Sequence, residues 1–222
     1  MTTRIAVAIE STPKKSFASA VDWPGWSRSG RMVENALEGL EVYASRYALV
    51  ALGAGEPLPV NNLEFEIVET AAGGSATGFG VPSRVTDADR RPTSAPEGDR
   101  LARLVAAAWT WFDEIAAGAP EELRKGPRGG GRDRSKMVVH VVESDGYYAK
   151  EIGVRLRTPA PTDRPAMEVF RTAMLEVLRQ PSDGSPLAGR RWTARYAAHR
   201  IAWHALDHAW EIEDRTEPGD AE

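Results

Sequence analysis

The chain has 222 residues, 42% of them apolar and 27% charged, with a formal net charge of −4. These are the proportions of a globular protein long enough for one large domain or two small ones. It has no cysteine, which excludes disulfides, thiolate metal sites and cysteine nucleophiles, so any metal must be held by His, Asp or Glu. No basic excess suggests nucleic-acid binding through phosphates. No apolar run approaches the roughly 18 residues of a membrane span, and no signal-peptide pattern opens the chain, so the expectation is a soluble cytoplasmic protein.

Residues 4–10 place Ile5, Val7 and Ile9 at period two and read as a short strand. A turn over 11–15 follows, and 17–21 alternates again. The tight turn Trp23-Pro24-Gly25-Trp26 leads to residues 27–30. Met32, Ala36, Leu40, Tyr43 and Tyr47 then recur at spacings of three and four, so 31–50 reads as one amphipathic helix. The 53–59 segment breaks it, and Leu63, Phe65 and Ile67 alternate once more. The order β-β-α-β predicts an α+β domain over residues 1–70, one helix covering a three-stranded antiparallel sheet.

This stretch resembles the N-terminal domain of the HicB antitoxin family. The resemblance rests on the aromatic-rich second strand, the Asp22-Trp23-Pro24-Gly25-Trp26 turn, Gly30, and the helix with Glu34 and Ala36. HicB proteins usually add a DNA-binding segment, and none is seen here, so the resemblance implies a reused scaffold or an interaction module.

Residues 71–98 are rich in Gly, Ser, Thr, Pro and Ala and cannot bury a core of their own, which predicts an interdomain linker. Gly73-Gly74-Ser75 and Gly78-Phe79-Gly80 lack the Lys-Ser/Thr pair and the strand–helix flanks of a phosphate-binding loop.

From residue 99 the period is helical. Leu101, Leu104, Ala108, Phe112 and Ile115 mark a first helix, closed by Gly118 and Pro120. The basic glycine-rich run from Lys125 to Arg132 reads as a solvated connection, or as a flap whose arginines reach an anion. Residues 136–152 form a second helix, containing His140. A third opens at Asp163-Arg164-Pro165, with Pro165 suited to the first helical position, and carries Met167, Phe170, Met174 and Val177 on one side. The fourth runs from Trp192 to about Asp214. Short connections between four helices predict an all-α up-down four-helix bundle over 99–215, with 216–222 as a tail.

The fourth helix carries three of the four histidines. A spacing of four rotates a helical side chain by only about 40° and lifts it about 6 Å, so His204 and His208 share a face. They fall on the apolar stripe Ala197, Ile201, His204, His208, Ile212, which should face the bundle interior. His199 lies roughly 140° away, on the side of Trp203, Leu206 and Trp210, and is a poor ligand. His140, whose helix face includes Ser144, Tyr147 and Glu151, is the available third imidazole. Two readings stay open from the residues alone: a three-histidine metal site with an open position, or core histidines satisfied by polar partners. Asp207 reads as a surface salt-bridge residue. The Trp203 and Trp210 stripe suggests contact with the N-terminal domain or a second subunit, and a homodimer is the hypothesis it raises.

The C-terminal half also resembles the DinB-like four-helix-bundle superfamily. The carriers are the run from Met137 to Tyr148, with His140, Glu143, Tyr147 and Tyr148, and the run Trp203-His204-Ala205-Leu206-Asp207-His208, about 60 residues further on. The resemblance implies that His140, His204 and His208 hold a divalent metal ion (Zn, Ni or Fe). It also implies transfer of a low-molecular-weight thiol, or hydrolysis or isomerisation of a small electrophile. An Ala-, Arg- and Gly-rich composition hints at a high-GC bacterium, in which that thiol would be mycothiol. Glu143, one turn from His140, is a candidate for orienting a ligand or water, and Tyr147 for a pocket-lining hydroxyl. The alternative is a non-catalytic ligand-sensing or protein-interaction module.

Overall fold

Period-two alternation at the N-terminus becomes strand β1 (Thr3–Ser11), whose Ile5, Val7 and Ile9 are buried. It pairs antiparallel with β2 (Ser16–Ala20), Val7 opposite Ala20 and Ser11 opposite Ser16. In this computed structural model, which describes residues 2–125 and 131–216, the fold is mixed α+β: a four-stranded sheet followed mainly by helices. The strand order is β3-β2-β1-β4.

The sheet differs from the expected three antiparallel strands in two ways. Residues 27–30 form an edge strand, β3 (Ser27–Gly30), antiparallel to β2. Its sequence Ser-Arg-Ser-Gly has no apolar alternation, because an edge strand is held by the backbone ladder rather than by two buried faces. The last strand, β4 (Leu63–Ala72), lies parallel to β1, with Ile5 opposite Phe65. Parallel neighbours need a crossover connection, and helices supply it. These are α1 (Val33–Val42) and α2 (Ala44–Gly53), two helices in place of the single one expected, with Tyr43 as the break between them (φ −89°, ψ 0°).

The Trp-Pro-Gly-Trp turn is a core element. Trp26 stacks on Tyr47 at 5.3 Å between ring centroids and donates its indole N–H to the Leu40 carbonyl, while the Tyr47 hydroxyl donates to the Pro24 carbonyl. Gly25 has φ +93°, and a Cβ there would meet Leu206 and Ala202 at 2.8 and 3.0 Å. Only glycine satisfies both the left-handed backbone and this close approach.

Residues 71–98 are a strap rather than a free linker. They hold the end of β4, a short helix α3 (Ser75–Phe79), a 3-10 turn (Ala88–Arg90) and the start of α4 (Ala95–Gly118). The buried Glu10 carboxylate of β1 accepts hydrogen bonds from the Thr77 hydroxyl and from the Ser83 and Arg84 amides. Thr193 donates to the Asp89 carbonyl and Arg195 to the Pro92 carbonyl. Small polar residues cannot build a core, but they can satisfy a buried carboxylate and two neighbouring elements at once.

Helix α4 opens on a capping box in which Ser94 and Glu97 bond each other's backbone N–H. It packs along α6 (Arg164–Arg179) and α7 (Ala194–Arg215), and α5 (Arg134–Glu151) packs on α7. Asp163 and Thr193 cap α6 and α7 through their side-chain oxygens. The far side of α7 meets the N-terminal unit, where the Trp203 edge packs on Phe17 and the Trp210 ring sits 5.0 Å from that of Tyr43. Both indoles are buried within this chain, so the stripe is not a surface open to a second subunit. The basic run at 126–130 lies outside the described residues, as do 217–222 of the expected tail. Among the described residues, no helix is long and apolar enough to cross a membrane.

Candidate metal centre

Helix α7 runs between α4 and α5 on one side and the sheet on the other, which places His204 and His208 in the interior at 6% and 9% exposure. The Ala-rich sequence around them (Ala197, Ala198, Ala202, Ala205, Ala209) lets neighbouring elements approach the helix closely. His140, half-buried on α5, enters from across the helix pair. Its Nε2 lies 3.3 Å from the His204 Nε2. The His140 ring is 5.0 Å from each of the other two imidazoles, which are 4.7 Å from one another.

One ring nitrogen from each of the three lies within 4.8 Å of the others, so His140, His204 and His208 could hold a metal ion. Two nitrogens on a tetrahedral zinc at ordinary Zn–N lengths are about 3.3–3.4 Å apart. The His140–His204 pair already has that separation.

The protonation states suit ligation. Burial, reinforced by the neighbouring His208 imidazole, lowers His140 to about 4. Burial, then His208 and Arg200, hold His204 well below the ordinary imidazole range. Both are neutral at pH 7 with a lone pair to give, the form a metal requires.

The outer sides of the rings differ. His208 Nδ1 lies 3.0 Å from a Glu211 carboxylate oxygen, and Arg215 donates to the other oxygen at 2.7 Å. Donation from Nδ1 leaves the His208 Nε2 lone pair for a ligand, the carboxylate–histidine arrangement common behind metal sites. The hydrogen bond from His208 is also the largest influence holding Glu211 below the usual carboxylate range. His204 Nδ1 is enclosed and has no partner among the described residues.

The two expected catalytic side chains sit outside this cluster. Tyr147 is 69% exposed, with its ring near the Lys150 ammonium. Its neighbour Tyr148 takes the inner position, with its ring 5.6 Å from that of His204. The Tyr148 hydroxyl is pushed up to about 12 by burial, which keeps it protonated. The helix places them so because the buried stripe of α5 runs Met137, Val141, Asp145, Tyr148. A polar residue in the middle of that stripe hid it from an apolar-periodicity argument. Glu143 is exposed and shares with His140 a surface depression, also lined by Arg132 and Lys136. It marks the open side of the cluster.

Glu211 was not singled out from the sequence as a partner of the site, although its position three residues after His208 is the available signal. His199 lies away from the cluster, its Nε2 2.8 Å from the Val21 carbonyl. Asp207 pairs with Arg28 of β3 at 3.1 Å, an ion pair that joins α7 to the sheet.

No family model matches the chain, and no curated protein or solved structure matches it.

Proposed function

We propose that the chain is a divalent-metal-dependent enzyme of the DinB-like kind. Helices α4 to α7 would form an up-down four-helix bundle around a Zn, Ni or Fe ion held by His140, His204 and His208. The substrate would be a small electrophile, with a low-molecular-weight thiol as co-substrate, or with hydrolysis or isomerisation as the reaction. The observation that carries this reading is the approach of three imidazole nitrogens from two helices, two of the rings held neutral by burial.

A divalent ion supplies Lewis acidity to such a site. The chain's own groups do the rest. Glu211 and Arg215 fix the His208 ring. Tyr148 offers a hydroxyl that stays protonated at neutral pH beside His204. The half-exposed flank of His140 is the approach for a substrate. The HicB-like N-terminal unit serves as a scaffold against the far face of α7, and we assign it no nucleic-acid or toxin partner. We place the protein in the cytoplasm, without a membrane role. A homodimer would need a surface other than the Trp203 and Trp210 stripe.

Elemental analysis of untreated protein, with a thiol-transfer assay on small electrophiles in zinc, nickel or ferrous buffers, tests the reading. The expected result is about one ion per chain, with activity lost on chelation and in His204→Ala. Full metal occupancy in His204→Ala would sink the triad. A wild-type protein that takes up no metal leaves the ligand-sensing or interaction module as the better description.

A further inference from the structure

Helix α5 packs on α7 while α4 packs on α6, and a cleft of about 370 Å³ is left between α5 and the α4–α6 pair. That is the size of a pocket for a small organic molecule. Its apolar lining is Ala116 of α4, Val142 of α5 and Met167 of α6, all largely buried, with the more exposed Val138 and Val139 towards solvent. None of the three clustered histidines lines it.

Three guanidinium groups and one carboxylate line the same cleft, and they are not equivalent. Arg171 grips Asp113 with both ends of its fork, at 2.6 and 3.2 Å. Arg134 is engaged by the Glu121 carboxylate and the Ala119 carbonyl. Arg164, at the start of α6, is the looser group. Its side chain is 74% exposed, and its nearest nitrogen lies 3.8 Å from an Asp113 oxygen that Arg171 already holds, too far for a hydrogen bond. The adjoining Asp163 carboxylate is turned to the Ala166 amide. Three guanidinium charges against the two carboxylates Asp113 and Glu121 leave one positive charge in excess, and Arg164 carries it.

An apolar wall beside one uncommitted, solvent-facing cation suits an amphipathic molecule of the opposite charge. Its apolar body would displace water from Val142 and Met167. Its acid head would take the planar fork of Arg164, which matches two oxygens in a plane. A second negative charge would face Asp113 with no further cation to meet it, which disfavours a dianion such as phosphate. A cationic head would face Arg164.

We propose that the cleft between α5 and the α4–α6 pair binds a small amphipathic monocarboxylate, with its tail on Val142 and Met167 and its head on Arg164. This site does not depend on the metal-centre reading.

Calorimetric titration with octanoate, hexanoate and octanamide tests it, with and without zinc, in wild type, Arg164→Gln and Ala117→Trp. Wild type is expected to bind one octanoate per chain, about tenfold more tightly than hexanoate for the two extra methylenes. Octanoate should bind about fivefold more tightly than octanamide, the upper end for a solvent-exposed ion pair. Arg164→Gln should bring the acid-to-amide ratio to about one and keep the dependence on tail length. Ala117 is exposed on the rim of the cleft, so Ala117→Trp should block both acids at unchanged zinc stoichiometry. Arg164→Gln carries the test if the tryptophan variant does not fold. Equal binding of acid and amide by wild type overturns the proposal. Zinc-dependent binding that survives both substitutions puts the carboxylate on the metal and overturns it too. A dimeric mass that Ala117→Trp reduces to one chain, with no octanoate bound, assigns the cleft to a second copy and overturns the small-ligand assignment. Octanoate binding in a protein that takes up no zinc supports the site and removes the metal reading alone.

Discussion

Helix α7 presents two faces rich in ring side chains, and the rings are used differently on each. On the sheet side, Trp203 and Trp210 meet Phe17 and Tyr43 edge-on, and the Asp207–Arg28 ion pair closes the contact. These rings fill space. On the α5 side, one nitrogen each of His204 and His208 gathers with one of His140, and the one carboxylate in hydrogen-bond contact with these rings, Glu211, sits on the outer nitrogen of His208. Three mutually facing imidazoles in a partly desolvated site do not stabilise the fold by packing. The two faces thus separate a stability role from a ligand-binding role within one helix, and each can be perturbed without the other.

The largest effect is expected from His204→Ala or His208→Ala, which should lower metal affinity by about 100-fold or more and abolish retention on desalting. The melting temperature of the metal-free protein should change little, since the imidazoles are held against their preferred hydration. A large loss of metal-free stability would mean that the histidines are packing residues after all. Next in size, Trp210→Ala should cost about 3–5 kcal/mol in denaturant unfolding while the folded protein keeps one metal per chain. Loss of metal at low denaturant would show that the two faces are coupled.

Glu211→Gln sharpens the comparison within the histidine face. Metal affinity should fall about 10–100-fold at unchanged stoichiometry, because the carboxylate orients His208 without touching the ion. Competition with a chromophoric chelator measures this.

The smallest effect concerns Asp145, beside the site on α5 but facing the core. Burial raises its carboxyl to about 7, with the Arg171 charge only partly opposing the shift, and neither oxygen has a hydrogen-bond partner among the described residues. A carboxyl raised on folding contributes stability below its unfolded value that is lost as pH climbs from about 4 to about 7. Asp145→Asn should remove that slope and raise the melting temperature at pH 8 by about 2–4 °C. His140 acts in the opposite sense. Lowered to about 4, it should make the metal-free protein lose stability as pH falls from about 6.5 towards 4. His140→Gln should flatten that acid limb in thermal melts.

Much of the molecule could be read from spacing. Apolar residues at intervals of two and of three or four located β1, β2, the core of β4 and helices α4 to α7, because each buries one continuous face. The same rule paired His204 with His208 and set His199 aside. It missed β3, whose Ser-Arg-Ser-Gly sequence has no apolar side chain and is held by the backbone ladder. It joined α1 to α2 because apolar spacing continues through Tyr43 while the backbone does not. It took the 71–98 strap for a linker because hydrogen bonds to Glu10 leave no apolar signature. Tyr147 and Tyr148 were exchanged for a similar reason, since Asp145 interrupts the buried stripe to which Tyr148 belongs.

What the chain alone determined was therefore local: which residues share a face, where helices are capped, and that two imidazoles on α7 point the same way. Helix and strand periodicities follow from backbone geometry within a few residues, so they are written into short stretches. The meeting of His140 with His204, the Glu211 brace and the covering of the tryptophans by the sheet join parts of the chain far apart or faces that only packing defines. Those were decided when α5 and the N-terminal sheet closed on opposite sides of α7, and tertiary packing alone carries that information.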